Sequence, residues 1–380
     1  MELPLHGRRI GLLTASASRA GGGVFEAVVA QAELIRAQGG EAVVLALADS
    51  HSAEDRARFG ISEVHHARVA GPRQIGFAPS LAGMLVGANL DCLHLHGIWM
   101  YPSRAGYLWA KATGKPLFIS PHGMLDPWIT ARGRWKKALA RIGYERAAWA
   151  SATALHALTT REAADIARET GRSDAVVIPN SCPDAAAAAA AACQGNRALN
   201  LLYIGRVHPK KNLVALVQGW MMARRPESAR LQIAGWGAEA DIADLHAAIA
   251  LADSSVEFLG PIYGAAKQAL IAGARFMVLA SHSEGLPMSV LEAWAAATPV
   301  IMTAECNLPE GFAAGAAREC GYDPATIACA LEAALAMGTA EWRRMASAAH
   351  DLAMGQFSSA AVAAHWSAAY AGAIDREETR

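Results

Sequence analysis

Two glutamates, Glu284 and Glu292, lie eight positions apart in the stretch SHSEGLPMSVLEAWAAATP of residues 281–299. The apolar run before them is typical of a buried parallel strand. Pro287 suits the first turn of a helix, because its missing N–H would have no intrahelical partner there. The pattern therefore places Glu284 on a strand-to-helix loop and Glu292 about five residues inside the helix, roughly 7–8 Å further along its axis.

The start of this predicted helix is a candidate anion site. The N–H groups of Gly285, Leu286 and Met288 would have no intrahelical partner, and such groups bind anions. A carboxylate, an anion cradle and a second carboxylate in line match a sugar, a diphosphate and a ribose. The alternative interpretation is a surface glutamate beside a purely structural turn.

A glycine-rich segment follows the first apolar run of the chain. Residues 9–14 (RIGLLT) predict a strand, and SASRAGGG leads from it through Gly22 and Gly23 into an amphipathic stretch. Strand, glycine loop, helix and strand form a βαβ opening. The glycines permit either close approach of a ligand or a tight turn, and both interpretations stay open. The motif is not G-x-G-x-x-G, which disfavours an NAD-dependent oxidoreductase.

Two more predicted strands end in loops with polar and aromatic side chains. CLHLH leads to Trp99, and LFIS leads to PHGMLDPW, which contains His122, Asp126 and Trp128. In open α/β sheets, ligands bind in the loops at the carboxyl ends of the strands. His122 is a candidate donor to a substrate hydroxyl or phosphate, and the other three could line an acceptor pocket. The alternative is a histidine that caps a turn and tryptophans wedged between domains.

Residues 132–146 (RGRWKKALARIGYER) carry six basic residues and one acidic residue. Trp135, Ala138, Leu139 and Ile142 recur at helical spacing within them. A basic helix with an apolar stripe can lie on an anionic membrane surface. The alternative is a solvated helix that packs through its stripe.

Composition limits the class of protein. The chain has 380 residues, 53% of them apolar, and a formal net charge of zero, which argues against a nucleic-acid-binding protein. No stretch approaches the roughly 20 apolar residues of a membrane-spanning helix, and the N-terminus predicts no signal peptide. The six cysteines are scattered without a C-x-x-C pair, which favours reduced thiols in the cytoplasm.

The length favours two domains. Strands and helices alternate in both halves, and an alanine-rich stretch separates them. We therefore predict an N-terminal Rossmann-like domain over 1–182, a linker over 183–198 and a C-terminal Rossmann-like domain over 199–359. A helix over about 360–380 ends the fold.

Together these motifs resemble the retaining glycosyltransferases of family four. Glu284-Gly-Leu-Pro with Glu292 is similar to the family's E-x7-E signature, and Gly205-Arg206 with Lys211-Asn212-Leu213 resembles its donor-phosphate motif. Gly22-Gly23 and His122 fit its glycine loop and strand-end histidine. PNSCPD at 179–184 departs from the family's P-N-G-V-D. The likeness covers the whole chain in the right order.

The resemblance implies the GT-B fold, in which two doubly wound Rossmann-like domains face an interdomain cleft and the last helix packs back on the first, acceptor-side domain. It implies transfer from a UDP- or GDP-sugar with retention, without another cofactor. Arg206 and Lys211 would hold the diphosphate, Glu284 the donor sugar and Glu292 the ribose. The remaining donor-site positions are Gly22, Gly23, Gly285, Leu286, Pro287 and Met288, and His122 joins Glu284 as a catalytic candidate. No Asp-x-Asp occurs, so we expect no metal.

PHGMLDPW and the basic run resemble enzymes that build bacterial surface polysaccharides. This implies a glycan or polyprenyl-linked glycan acceptor near Trp99, Asp126 and Trp128, and a cytoplasmic enzyme at the inner face of the plasma membrane. Two alternatives remain: a sugar-nucleotide epimerase or hydrolase on the same frame, and a binding protein that has lost catalysis.

Overall fold

The structure, a computed structural model, describes residues 3–131, 133–183 and 197–379. The chain divides into two compact units, Met1–Pro179 with Val362–Arg380, and Asn180–Ala361. Most of the predicted linker, residues 184–196, lies outside the described part of the chain.

The first unit contains a seven-stranded parallel sheet in the order β3-β2-β1-β4-β5-β6-β7. Its strands are β1 Arg9–Thr14, β2 Glu41–Leu47, β3 Glu63–Ala67, β4 Cys92–His96, β5 Leu117–Ser120, β6 Ala154–Ala157 and β7 Val176–Val177. The central strands are buried along nearly their whole length, as expected of a parallel sheet covered by helices on both faces. The edge strand β3 is largely polar and was not predicted from the sequence.

Helices α1 to α8 connect these strands. They are α1 Gly23–Ala37, α2 Ser52–Asp55, α3 Leu81–Gly87, α4 Tyr101–Thr113, α5 Pro127–Ala131, α6 Arg134–Ala140, α7 Arg146–Ser151 and α8 Thr160–Thr170. A π-helical turn, Arg141–Glu145, joins α6 to α7. The predicted single helix over 132–146 is therefore, in its described part, an α-helix followed by a π-helical turn.

The second unit contains a six-stranded parallel sheet in the order β10-β9-β8-β11-β12-β13. Its strands are β8 Asn200–Ile204, β9 Arg230–Ala234, β10 Val256–Gly260, β11 Phe276–Leu279, β12 Val300–Met302 and β13 Ala317–Glu319. Its helices are α9 Leu213–Met222, α10 Glu239–Ala250, α11 Gly264–Gly273, α12 Met288–Ala295, α13 Pro309–Ala313, α14 Pro324–Leu335 and α15 Thr339–Met354. Both units are thus α/β domains with the alternation that the sequence predicts.

The C-terminal helix α16, Ser359–Glu378, completes the core of the first unit from Val362 onward. Trp366 and Tyr370 are buried in the same apolar cluster as Phe25 and Phe118. Burial of side chains this large contributes about 1.5–3 kcal/mol each, which attaches the end of the chain to the first sheet.

A chain of buried hydrogen bonds runs beneath the carboxyl edge of this sheet. The carbonyl of Ile178 can only accept, so His156 donates to it through Nε2 (2.7 Å). His156 Nδ1 must then accept from Ser120 Oγ (2.6 Å), and Ser120 accepts from His94 Nε2 (2.6 Å). His94 Nδ1 in turn accepts from the hydroxyl of Tyr370 (2.6 Å). In this chain each hydrogen bond determines which atom donates in the next one. His94 and His156 are therefore both held neutral, each in a single tautomer.

Burial keeps these imidazoles uncharged. It lowers the pKa of His94 well below its ordinary value near 6.5 and that of His156 to about 4. A cation here would lose its hydration and the acceptor role of its ring nitrogen.

Acid should therefore destabilise the protein through these histidines. In the unfolded chain each one gains a proton below about pH 6.5, whereas folded His156 stays neutral down to about pH 4. Stability is full above pH 6.5 and falls by about 1.4 kcal/mol per pH unit for each such group as the pH drops toward the folded pKa. His156→Gln keeps a hydrogen-bond donor and an acceptor but does not titrate. The free energy of unfolding of this variant should therefore fall less steeply with acid, because unfolding takes up about one proton fewer than in the wild type.

Urea unfolding of wild type and variant between about pH 7.5 and pH 5.5 measures this slope. His365→Gln, at an exposed position on α16 where the imidazole has no hydrogen bond or ion pair with another described residue, is the matched control and should leave the slope unchanged. Equal slopes for wild type and His156→Gln would contradict the explanation.

Candidate active site

The loop after β11 carries the first glutamate. β11 ends at Leu279, Glu284 lies in the loop that follows, and Glu292 is the fifth residue of α12. Pro287 stands in an extended conformation immediately before the helix. This is the placement that the spacing of the two glutamates predicts.

Glu284 is nearly buried and forms an ion pair with Lys211. Lys211 Nζ lies 2.5 Å from Glu284 Oε1, and the two side chains are 22% and 9% exposed. The hydroxyl of Ser281 donates to the same oxygen (2.6 Å). The structure therefore brings together two of the predicted site residues from the loops after β8 and β11.

Asn307 fixes the backbone of the Glu284 loop. Its side-chain amide donates to the carbonyls of Glu284 (2.6 Å) and Gly285 (3.2 Å). The N–H of Glu284 donates to the carbonyl of Glu305 (3.0 Å). Asn307 stands at a φ of +57°, which asparagine tolerates better than most residues. Ser281 and Asn307 could not be predicted from the sequence, since neither belongs to a motif.

The start of α12 offers unpaired donors. Among the described residues, none accepts a hydrogen bond from the N–H groups of Gly285, Leu286 or Met288, and α12 has no side-chain cap. An anion at this position would satisfy them.

Arg206 is exposed in the loop after β8, and no hydrogen bond or ion pair joins its guanidinium to another described residue. Its backbone is fixed, because its carbonyl accepts from the hydroxyl of Tyr203 (2.8 Å). A Cβ at Gly235 would lie 1.9 Å from the carbonyl oxygen of Gly205, so only glycine lets the loops after β8 and β9 come this close. The guanidinium is therefore an available cation on a rigid support.

Glu292 does not join the Glu284 cluster but pairs with Lys267 of α11. Lys267 Nζ lies 2.7 Å from Glu292 Oε1 and 2.6 Å from Oε2, and both side chains are partly exposed. No sequence signal identified Lys267, because its partner lies twenty-five residues further along the chain.

In the first unit, His122 stands next to His96. His122 has a φ of +52°, its Nε2 lies 3.0 Å from His96 Nδ1, and the two rings are stacked. Burial, and next the repulsion from His156, lower the pKa of His122 to about 3. At neutral pH this imidazole is therefore uncharged, and its hydrogen bond to His96 leaves Nδ1 for another partner.

A buried carboxylate holds the His122 loop. Glu162 accepts from the N–H of Gly123 (2.6 Å) and from the N–H of Leu158 (2.8 Å), and burial raises its pKa. Thr159 caps α8 by accepting from the N–H of Glu162 (3.1 Å). The pattern Thr159-x-x-Glu162 is a capping-box signal that could have identified Glu162 from the sequence.

A second buried carboxylate holds Trp99. Glu145, fully buried at the end of the π-helical turn, accepts from the N–H of Trp99 (2.5 Å). Tyr144 donates to the Trp99 carbonyl (3.0 Å), and the Trp99 indole donates to the carbonyl of Met124 (3.3 Å). These bonds keep Trp99 at a φ of +77°, which is costly for a bulky residue. Burial raises the pKa of Glu145 to about 7.

The other predicted residues of this unit lie on the same loops or at the start of α1. Gly22 has a φ of +57° and precedes α1, and Gly23 is its first residue; a Cβ added at either would meet no atom. Asp126 is half-buried in the turn before α5, and Trp128 lies in α5.

A pocket of about 450 Å³ opens at the carboxyl edge of the first sheet. Its walls include Thr14, Asp49, His96 and Met100. His96 is 3% exposed, and its Nε2 has no hydrogen-bond partner among the described residues. A polar group of a ligand could satisfy this nitrogen.

The part of the chain that the structure describes contains five free cysteines and no cluster of side chains arranged to hold a metal ion. None of its helices is long and apolar enough to cross a bilayer.

Two family profiles match the chain. Residues 22–181 match the glycosyl transferase 4-like domain, and residues 198–337 match the glycosyl transferases group 1. No curated protein matches the chain in sequence.

Solved structures match over nearly the whole chain. HepE from Anabaena, in complex with UDP and glucose, has a TM-score of 0.77 at 16% identity over 96% of this chain and 100% of its own. Sucrose-phosphate synthase from Thermosynechococcus elongatus has a TM-score of 0.78 at 17% identity over 97% and 100%. WaaG, a glycosyltransferase involved in lipopolysaccharide biosynthesis, has a TM-score of 0.64 at 15% identity over 96% and 100%.

These likenesses confirm the predicted GT-B fold, with one α/β domain of seven parallel strands and one of six. The two profiles, one in each domain, cover most of the sequence. The chain therefore belongs to the glycosyltransferases that combine a glycosyl transferase 4-like domain with a group 1 domain.

Proposed function

We propose that this glycosyltransferase moves a sugar, with retention and without a metal, from a UDP- or GDP-sugar to a glycan or lipid-linked glycan acceptor of a cell-surface polysaccharide. The observation that carries the proposal is the Lys211–Glu284 pair beside the unpaired amides of α12. HepE, bound to UDP and glucose, and WaaG, involved in lipopolysaccharide biosynthesis, support the donor class and the pathway.

The donor site acts on the bond between the sugar and the diphosphate. As this bond breaks, negative charge grows on the departing phosphate. Arg206 can bind a phosphate bidentately and Lys211 can bind it as a point charge. The amides at the start of α12 add fixed dipoles, and such preorganised donors are worth roughly 2.7–4 kcal/mol each in comparable sites. Together these groups would perform the charge neutralisation that a metal performs elsewhere.

Glu284 would hold the donor sugar and Glu292 the ribose. The carboxylate of Glu284, fixed by Lys211 and Ser281, would hold donor hydroxyls and favour positive charge on the sugar carbon. The carbon–phosphate oxygen bond breaks while the acceptor oxygen bonds to the same carbon on the same face. The acceptor proton passes to the departing phosphate oxygen, which balances the transfer.

The first unit would bind the acceptor. The neutral His122 can hydrogen-bond a substrate hydroxyl, and Trp99, on a backbone that Glu145 fixes, would line the acceptor site beside it. The neighbouring pocket is of a size that suits a small ligand or one sugar residue of a glycan.

The basic segment also supports an acceptor carried on a membrane. Trp135, Leu139 and Ile142 are 67%, 63% and 77% exposed, so these three side chains are largely uncovered by the described part of the chain. Apolar side chains at this spacing, surrounded by lysine and arginine, suit an anionic bilayer surface. We propose that residues 132–146 bring the enzyme to the inner face of the plasma membrane.

The two glutamates should affect different kinetic constants. Contacts near the developing positive charge strengthen in the transition state, so Glu284→Gln should lower kcat by one to three decades, about 1.4–4 kcal/mol, with little change in the donor KM. Ribose contacts are similar in ground and transition states, so Glu292→Gln should chiefly raise the donor KM. Steady-state release of nucleoside diphosphate from the preferred donor, with a glycan or water as the acceptor, measures both.

Glu310→Gln, at an exposed position in α13, is the matched control and should keep both constants. Melting curves for all three variants separate chemistry from folding. A kcat of Glu284→Gln equal to that of the wild type would contradict the catalytic role proposed for this loop.

The exposed stripe should determine membrane binding. Replacing Trp135, Leu139 and Ile142 by serine should lower co-sedimentation with phosphatidylglycerol–phosphatidylcholine vesicles at least tenfold, since each buried apolar side chain contributes about 1.5–3 kcal/mol. High salt should also weaken wild-type binding, because each basic residue contributes about 1 kcal/mol.

The matched control replaces Ile61 and Leu251 by serine. Both residues lie outside this segment, and their side chains are 91% and 88% exposed. This variant should bind as wild type does. Equal sedimentation of the wild type with neutral and anionic vesicles would argue against a membrane role.

A further inference from the structure

Two aromatic side chains stand together on the second unit. Trp236 and Tyr263 are 48% and 63% exposed, and their ring centroids lie 5.9 Å apart with 39° between the planes. They occupy the loops after the neighbouring strands β9 and β10, at the carboxyl edge of the sheet. Rings this exposed have aromatic surface available for a ligand.

Backbone contacts place Trp236 beside Arg206. The N–H of Val207 donates to the carbonyl of Trp236 (2.6 Å). A Cβ at Gly237 would lie 2.3 Å from the Val207 carbonyl oxygen, so glycine is needed for this approach. Trp236 therefore stands on a rigid loop, next to the cation proposed for the diphosphate.

Tyr263 is connected to the ribose glutamate. It immediately precedes α11, and its carbonyl accepts from the N–H of Lys267 one turn further on (3.4 Å). Lys267 holds the carboxylate of Glu292 through its ammonium group. The aromatic pair is thus attached by short contacts both to the proposed phosphate site and to the proposed ribose site.

We propose that Trp236 and Tyr263 form a platform on which the nucleobase of the donor stacks. The inference rests on the proposed nucleotide-sugar function and adds the residues that bind the base. Stacking uses the face of the base, which uracil and guanine share, so the platform should serve both. Loss of one stacked aromatic typically weakens affinity about fivefold to 150-fold.

A second exposed aromatic pair serves as the control. His282 and Tyr322 stack at 5.5 Å on the loops after β11 and β13. The carbonyl of Tyr322 accepts from the side-chain amide of Asn212 (2.8 Å), and within the described chain no hydrogen bond joins Tyr322 to Lys267 or Glu292. The contacts with the ribose site therefore favour the Trp236–Tyr263 pair.

Calorimetric titration of the full chain with UDP, GDP and inorganic pyrophosphate tests the platform. Trp236→Ala and Tyr263→Ala should each weaken UDP and GDP binding by fivefold or more, while pyrophosphate affinity stays within twofold of wild type. Trp236→Phe and Tyr263→Phe retain a ring and should restore most of the affinity. Tyr322→Ala should bind all three probes as wild type does.

The outcomes separate the platform from the proposed function. Unchanged UDP and GDP affinity in both alanine variants overturns the platform and leaves the nucleotide-sugar function standing. Equal losses for pyrophosphate and nucleotides, or a loss confined to Tyr322→Ala, also overturn it. A wild-type protein that binds none of the three probes overturns both proposals.

Discussion

The ion pair between Lys211 and Glu284 is the interaction on which the proposed donor site depends. It joins the loops after two adjacent parallel strands, β8 and β11, at the edge where ligands bind in open α/β sheets. A carboxylate this buried requires a partner, and Lys211 together with Ser281 supplies it. The pairing fixes Glu284 beside the unpaired amides of α12, and the guanidinium of Arg206 has no partner among the described residues. A nucleotide that enters would meet a carboxylate whose position is already fixed.

The first unit positions its candidate residues by a related constraint, the burial of polar groups. Glu145 and Glu162 lie in the interior and accept backbone N–H groups from the loops of Trp99 and His122. Each loop contains a non-glycine residue at positive φ, which persists only where surrounding contacts impose it. The neutral histidines beneath them serve as hydrogen-bonding groups and not as charges. Both units therefore hold irregular loops on regular sheets, with rigidity supplied by buried carboxyl groups or buried imidazoles.

The sequence predicted the elements that have strong local signals. Apolar runs identified the central strands, and the Gly-Leu-Pro turn placed Glu284 on a loop and Glu292 in a helix. The edge strands β3 and β13 were missed, because half-exposed strands lack a continuous apolar run. Lys267, Asn307 and Glu145 were missed because their partners are distant in sequence and no motif connects them. The exposure of Trp135, Leu139 and Ile142 also required the structure, since periodicity alone does not show which face packs.

Donor turnover is the most direct test of the account. The purified protein is incubated with a panel of UDP- and GDP-sugars, with and without EDTA, and the released nucleoside diphosphate is measured; without the glycan acceptor, water takes the sugar. Because Arg206, Lys211 and the amides of α12 are proposed to neutralise the departing phosphate, we predict release from at least one donor that chelation leaves largely intact. The metal-free mechanism would be contradicted if chelation abolished the release and Mg²⁺ or Mn²⁺ restored it. The proposed function itself would be contradicted if no donor released its nucleoside diphosphate.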